Sequence, residues 1–169
     1  MATLRTVNDT SMPHIHERID FTVEVFVVYK NTVLLRMHDK YKKWLSVGGH
    51  VELDEDPNEA AVREVKEEVG LDVTLADNLR PFQKDTLEYR ELIPPKFLNR
   101  HKISDTHEHI TLIYFARART DRLVIPENHE KSEEIKWFTK AELEKNQYGI
   151  SDTIRFYALK ALEELGGSK

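Results

Sequence analysis

Glu64, Glu67 and Glu68 stand at i, i+3 and i+4 in the segment EVKEEVG. On a helix, at about 100° per residue, that spacing gathers the three carboxylates on one side, where they repel one another. Such a set costs stability unless cations neutralise it. Crowded oxygen donors suit hard divalent ions, Mg²⁺ or Mn²⁺, over soft ones. Arg63, next to the triplet, can pair with Glu59 four residues back or steady the neighbouring carboxylates. By themselves, three glutamates more readily describe a solvated helix face.

The flanking residues make the helix credible. Asp56 reads as an N-cap, Pro57 as the first helical residue and Glu59 as the capping-box partner, while Gly70 reads as a left-handed stop. The spacing therefore predicts a helix over 57–69. Ala61, Val62, Val65 and Val69 fall on a side separate from the glutamates and are expected to pack on a sheet. Upstream, Gly48 and Gly49 let the backbone approach a ligand closely.

The rest of the chain supplies the sheet. Residues 21–29 (FTVEVFVVY) read as a buried strand, Lys30-Asn31 as a two-residue turn and 32–37 as the returning strand of a hairpin. Residues 38–43 form a charged loop, and 44–47 a short strand running into the glycine pair. A strand at 71–75 is expected to resume over 80–91 after a break at Asp77-Asn78. Residues 94–105, with two prolines and mixed charge, read as a long loop of the kind that is often functional. Strands follow at 109–118 and 134–138, separated by a polar loop over 119–132. Residues 141–145 and 151–165 read as helices, the second with Ser151 and Asp152 as caps. Hairpins mixed with crossovers imply an α/β fold, a mixed sheet with helices on its faces.

A length of 169 residues fits one domain spanning 1–169, with 1–16 as a loose polar tail. The composition, 40% hydrophobic and 33% charged, is that of a globular protein rather than a disordered one. A net charge of −5 offers no basic surface for a long nucleic acid. With no cysteine, disulfides, thiolate zinc sites and cysteine nucleophiles are excluded. No stretch is apolar enough to span a membrane or act as a secretory signal, so the expected location is cytoplasmic.

Residues 49–71 (GHVELDEDPNEAAVREVKEEVGL) resemble the Nudix box, G-x5-E-x7-R-E-U-x-E-E-x-G-U, where U is bulky and apolar. Gly49, Glu55, Arg63, Glu64, Val65, Glu67, Glu68, Gly70 and Leu71 fill every defined position. One departure lies just outside: many relatives carry Pro-Gly-Gly where this chain has Val47-Gly48-Gly49.

The resemblance implies an α/β/α sandwich and divalent-metal-dependent hydrolysis of a nucleoside diphosphate linked to a second group. Glu64, Glu67 and Glu68 would be metal-binding carboxylates, with the Gly48 carbonyl as a further ligand. Mg²⁺ would be the cofactor and Mn²⁺ its substitute. Arg63 would orient the glutamates, and Glu55 would support the loop–helix junction. A carboxylate must accept the attacking water's proton: a box glutamate, Glu67 or Glu68, in some relatives, and a distant loop glutamate in others, for which Glu130 is the candidate here. The partner would be a small-molecule nucleotide, and a homodimer is an assembly relatives often form. The competing class is a non-catalytic nucleotide sensor, which the complete box opposes. An isomerase on the same fold would need a cysteine, and a decapping role would want a basic RNA path.

His107 and His109 alternate on a strand and would share a face, with His101 nearby. A zinc site there lacks an evident third or fourth ligand nearby in sequence, so the expectation is that these histidines line the substrate side of the sheet or sit at a strand end. Tyr41, Trp44, Phe82, Tyr89 and Phe97 include candidates for stacking on a base. Selectivity is expected to come from residues 94–105 and the strands facing the site.

Overall fold

The computed structural model describes residues 18–125 and 134–167. Its centre is a pair of long parallel strands, β1 (Ile19–Tyr29) and β7 (Glu108–Ala118), aligned from Ile19 opposite Glu108 to Val28 opposite Arg117. β2 (Thr32–His38) returns antiparallel to the upper end of β1, as the Lys30-Asn31 turn predicts, and Lys30 adopts a positive φ of 52°. β3 (Lys43–Leu45) and β8 (Glu134–Thr139) pair with β2. β4 (Val47–His50) pairs with the lower part of β1, and β5 (Val73–Leu75) and β6 (Phe97–Lys102) pair with β7.

Alternation along the strands separates two apolar layers. Val23, Val25 and Val27 of β1 face helix α1 (Pro57–Val69), which buries Ala60, Ala61, Val65 and Val69 against them. Phe26 and Val28 point the other way, towards α2 (Lys140–Lys145) and α3 (Asp152–Leu165), and meet Phe115, Phe138, Ala158 and Leu162. Fully burying a side chain such as Phe26 contributes on the order of 2 kcal/mol. The result is the expected α/β/α sandwich around a mixed sheet.

Three expectations need correction. Residues 94–105 are not one long loop: β6 forms from Phe97 to Lys102 because β7 offers it a full antiparallel register. Residues 80–91 do not continue the strand at 71–75 and hold only an isolated bridge between Asp85 and Arg90. Val62 is 39% exposed, and Ala60 takes its place on the packed face of α1. Residues 1–16, 126–133 and Glu130 among them lie outside the described residues.

Candidate active site

Local chemistry sets both ends of α1. The Asp56 carboxylate accepts from the N–H groups of Asn58 and Glu59 at 2.8 and 3.0 Å, and Glu59 accepts from the Asp56 N–H at 3.1 Å. Gly70 closes the helix in the left-handed region at φ 70°. With these ends set, Glu64, Glu67 and Glu68 come to one side, against Gly48 and Gly49 of β4 and beside Arg63.

Arg63 organises the cluster. Its Nε and Nη2 donate to the two oxygens of Glu55 at 2.9 and 2.6 Å. Nη1 donates to Glu64 Oε1 and Glu67 Oε2, each at 2.9 Å, and Nη2 also reaches the His50 carbonyl at 3.0 Å. The hydrogen bond to Glu55 raises the guanidinium's already high pKa and holds the Glu55 carboxyl below the usual range. Arg63 does not pair with Glu59, whose carboxylate is taken by the Asp56 N–H and by Arg90 at 2.7 Å.

Glu68 is held differently. Its Oε2 accepts from the Gly48 N–H at 3.0 Å, and its Oε1 meets the buried Arg36 guanidinium at 2.5 Å. Glu64 is the carboxylate whose charge burial opposes: its pKa is raised by desolvation, against the pull of Arg63. The glycine pair makes the close approach of helix and strand feasible. A Cβ on Gly49 would stand 2.3 Å from Glu64 Oε1, and one on Gly48 would stand 2.0 Å from the Val23 carbonyl oxygen.

The carboxylates border a cavity of about 640 Å³. Its floor is the polar half of the sheet face whose apolar half lies under α3. Thr22 and Glu24 of β1 continue the row that becomes Phe26, and His109 and Thr111 of β7 continue the row that becomes Ile113 and Phe115. Thr22 and Thr111 lie opposite one another and share a hydrogen bond of 2.7 Å between their hydroxyls. Glu24 accepts from the Ser46 hydroxyl at 3.0 Å, and its burial pushes its carboxyl up.

Arg36 and Glu24 were not singled out from the sequence. The signal was available: Arg36 is a charge inside the apolar run of β2, and Glu24 the one charge in the apolar segment 21–29. Of the aromatic candidates, Tyr41 lines the cavity, whereas Trp44 is buried in the core against Phe138 and Phe97 packs on Phe115. Of the three histidines marked in the sequence, His101 and His109 line the cavity, together with His50, while His107 is not among its lining residues.

The family model described as NUDIX domain matches residues 20–159. The chain belongs to the Nudix family. A solved structure of a Nudix-family hydrolase from Clostridium perfringens is 38% identical, with a TM-score of 0.77 over 86% of this chain and 97% of that one. A MutT Nudix hydrolase from Burkholderia pseudomallei shares the fold at 20% identity, TM-score 0.59, over 88% and 99% of the two chains. The MutT protein of Methanosarcina mazei Go1 does so at 16% identity, TM-score 0.61, over 89% and 98%. As a Nudix hydrolase the chain is a pyrophosphohydrolase, an enzyme of small phosphorus-containing anhydrides in a family that generally uses divalent metals. No helix among the described residues is long and apolar enough to cross a membrane.

Proposed function

We propose that this Nudix hydrolase cleaves the diphosphate linkage of a nucleoside diphosphate derivative by attack of water on phosphorus, with Mg²⁺ as its cofactor and Mn²⁺ as a substitute. The observation that carries the reading is the convergence of Glu64, Glu67 and Glu68 on the rim of a cavity of about 640 Å³, the first two aligned by Arg63 and the third by the Gly48 N–H and Arg36. This donor set fits a hard cation: it is all oxygen, crowded, and contains one carboxylate, Glu64, whose charge is unfavourable as it stands. Glu64, Glu67, Glu68 and the Gly48 carbonyl are assigned as the holders. The bound ion would offset phosphate charge and make the attacking water more acidic.

The chain's own residues then divide the work. Arg63 holds Glu64 and Glu67 apart at a fixed spacing and ties both to the loop through Glu55. The Gly48 N–H and Arg36 fix Glu68. Glu67 is the most exposed of the three, at 39% against 14% for Glu64 and 12% for Glu68, so water reaches it most readily. We assign it the proton-accepting role, with Glu68 next in line; Glu130 keeps its place as the distant candidate. Thr22 and Thr111 offer hydroxyls on the floor, and the half-exposed Tyr41 offers a face for a base.

The test is a panel of nucleotide diphosphate derivatives incubated with Mg²⁺, read by coupled phosphate release. Glu68→Gln is expected to abolish turnover of whichever substrate is cut. Full activity in a Glu67→Gln, Glu68→Gln double variant would remove the metal assignment.

A further inference from the structure

Three strands bring a second set of donors together at the far end of the cavity floor. Asp20 lies on β1, His50 on β4 opposite Thr22, and His109 on β7 opposite Asp20. His107 precedes β7 with the same alternation as His109. Asp20, His107 and His109 are all buried, and their ligand atoms lie within 4.8 Å of one another. Asp20 Oδ2 is 3.3 Å from His107 Nε2 and 3.4 Å from His50 Nε2. His109 is only 9% exposed, and its Nε2 is buried without a hydrogen-bond partner.

We propose that Asp20, His107 and His109 form a second metal site, for a borderline divalent cation of the Zn²⁺ type, with His50 next to it as the fourth donor. The site shares no ligand with the box glutamates. A tetrahedral ion with bonds of about 2.0–2.1 Å holds its ligand atoms about 3.3 Å apart, and the two separations measured from Asp20 Oδ2 match that edge. A hydrogen bond between the same atoms would prefer about 2.7–3.2 Å. Two or three imidazoles with one carboxylate select a borderline transition ion, whereas the all-oxygen box selects a hard one. Sequence spacing hid the third ligand: Asp20 is 87 residues before His107 and meets it only through the parallel β1–β7 register.

The experiment separates this site from the box. A chain carrying Glu64→Gln, Glu67→Gln and Glu68→Gln is dialysed against Zn²⁺ in excess Mg²⁺, and bound zinc is counted by elemental analysis. One equivalent is expected, and Co²⁺ in its place is expected to give the visible absorption of a tetrahedral nitrogen–oxygen site. Adding His107→Gln or His109→Gln is expected to weaken Zn²⁺ binding at least about a hundredfold, beyond what loss of an outer-shell partner causes. No retained zinc in the box-disabled chain, or equal retention after both histidine changes, overturns the proposal. If the histidine variants do not fold, the imidazole resonances of the box-disabled chain decide: those of His107 and His109 are expected to shift with Zn²⁺, and unchanged resonances overturn it. Because the box is disabled throughout, failure here leaves the proposed hydrolysis untouched.

Discussion

Arg63 and Glu55 are joined by two parallel bonds, Nε to Oε2 at 2.9 Å and Nη2 to Oε1 at 2.6 Å, across the turn that leads from the glycine pair into α1. The planar fork that makes this pair also serves Glu64, Glu67 and the His50 carbonyl. A lysine has the charge but not the fork. Arg63→Lys is therefore expected to lower the unfolding free energy by about 2 kcal/mol, measured by urea denaturation, and to cut turnover more than substrate affinity. Glu55→Gln keeps one acceptor and is expected to lose about half as much. Equal stability of Arg63→Lys and the parent would show that the network contributes only alignment.

Glu64 should behave as a residue kept for function at the expense of stability. Burial raises its carboxyl above the ordinary value of 4.5, despite Arg63. A raised carboxyl binds its proton more tightly in the folded chain, so its contribution is fully present below the ordinary value and is lost as pH rises through the raised one. At neutral pH the charged form opposes folding. Glu64→Gln is accordingly expected to melt a few degrees above the parent in chelator, the scale of about 1 kcal/mol for this chain length. Adding Mg²⁺ should raise the parent's Tm more than the variant's. A variant less stable than the parent in chelator would contradict this.

A carboxylate outside the site has the opposite sign. Glu142 is held down to about 2, first by the Thr139 backbone N–H at 2.9 Å and then by Lys136 at 3.0 Å. A depressed carboxyl contributes stability that is present above its ordinary value of 4.5 and is lost as pH falls towards about 2. Glu142→Gln is expected to cost about 1 kcal/mol at neutral pH, the scale of a helix cap. The gap between variant and parent should narrow as pH is lowered through that window, followed by denaturant titration at each pH.

What could be read from the sequence was local. Asp56, Glu59 and Gly70 mark both ends of α1 because a cap is made by residues three or four apart, and the side chains then fall where the helical period puts them. The edge strand β6 escaped because Phe-Leu-Asn-Arg-His-Lys shows little apolar alternation and follows two prolines; only the register of β7 draws it into the sheet. Val62 was misplaced because the helical period gives a direction but not the position of the sheet, which sits closer to Ala60. Glu24 and Arg36 stand out as charges in apolar segments, but that they line the cavity, and that Asp20 meets His107, follows from strand pairings between distant segments, which one chain without its fold cannot reveal.

The two glycines beside the glutamates make a pair of contrasting experiments. At Gly48 a Cβ would meet backbone, the Val23 carbonyl oxygen at 2.0 Å, and φ is +155°. Backbone cannot step aside without breaking the pairing of β4 with β1, so Gly48→Ala is expected to cost about 2 kcal/mol or more. It should also weaken the N–H bond to Glu68. At Gly49 the obstacle is the Glu64 carboxylate, 2.3 Å away, at the end of a flexible side chain. Gly49→Ala should therefore fold with little loss, because the carboxylate can turn away. In turning it leaves the cluster, so this variant is expected to lose most of its turnover and to require more Mg²⁺ for half-maximal activity. Thermal melts and Mg²⁺ titrations on both variants check the contrast. A Gly49→Ala enzyme that is destabilised as much as Gly48→Ala, yet keeps its Mg²⁺ requirement, would show that the loop rather than Glu64 absorbs the added methyl.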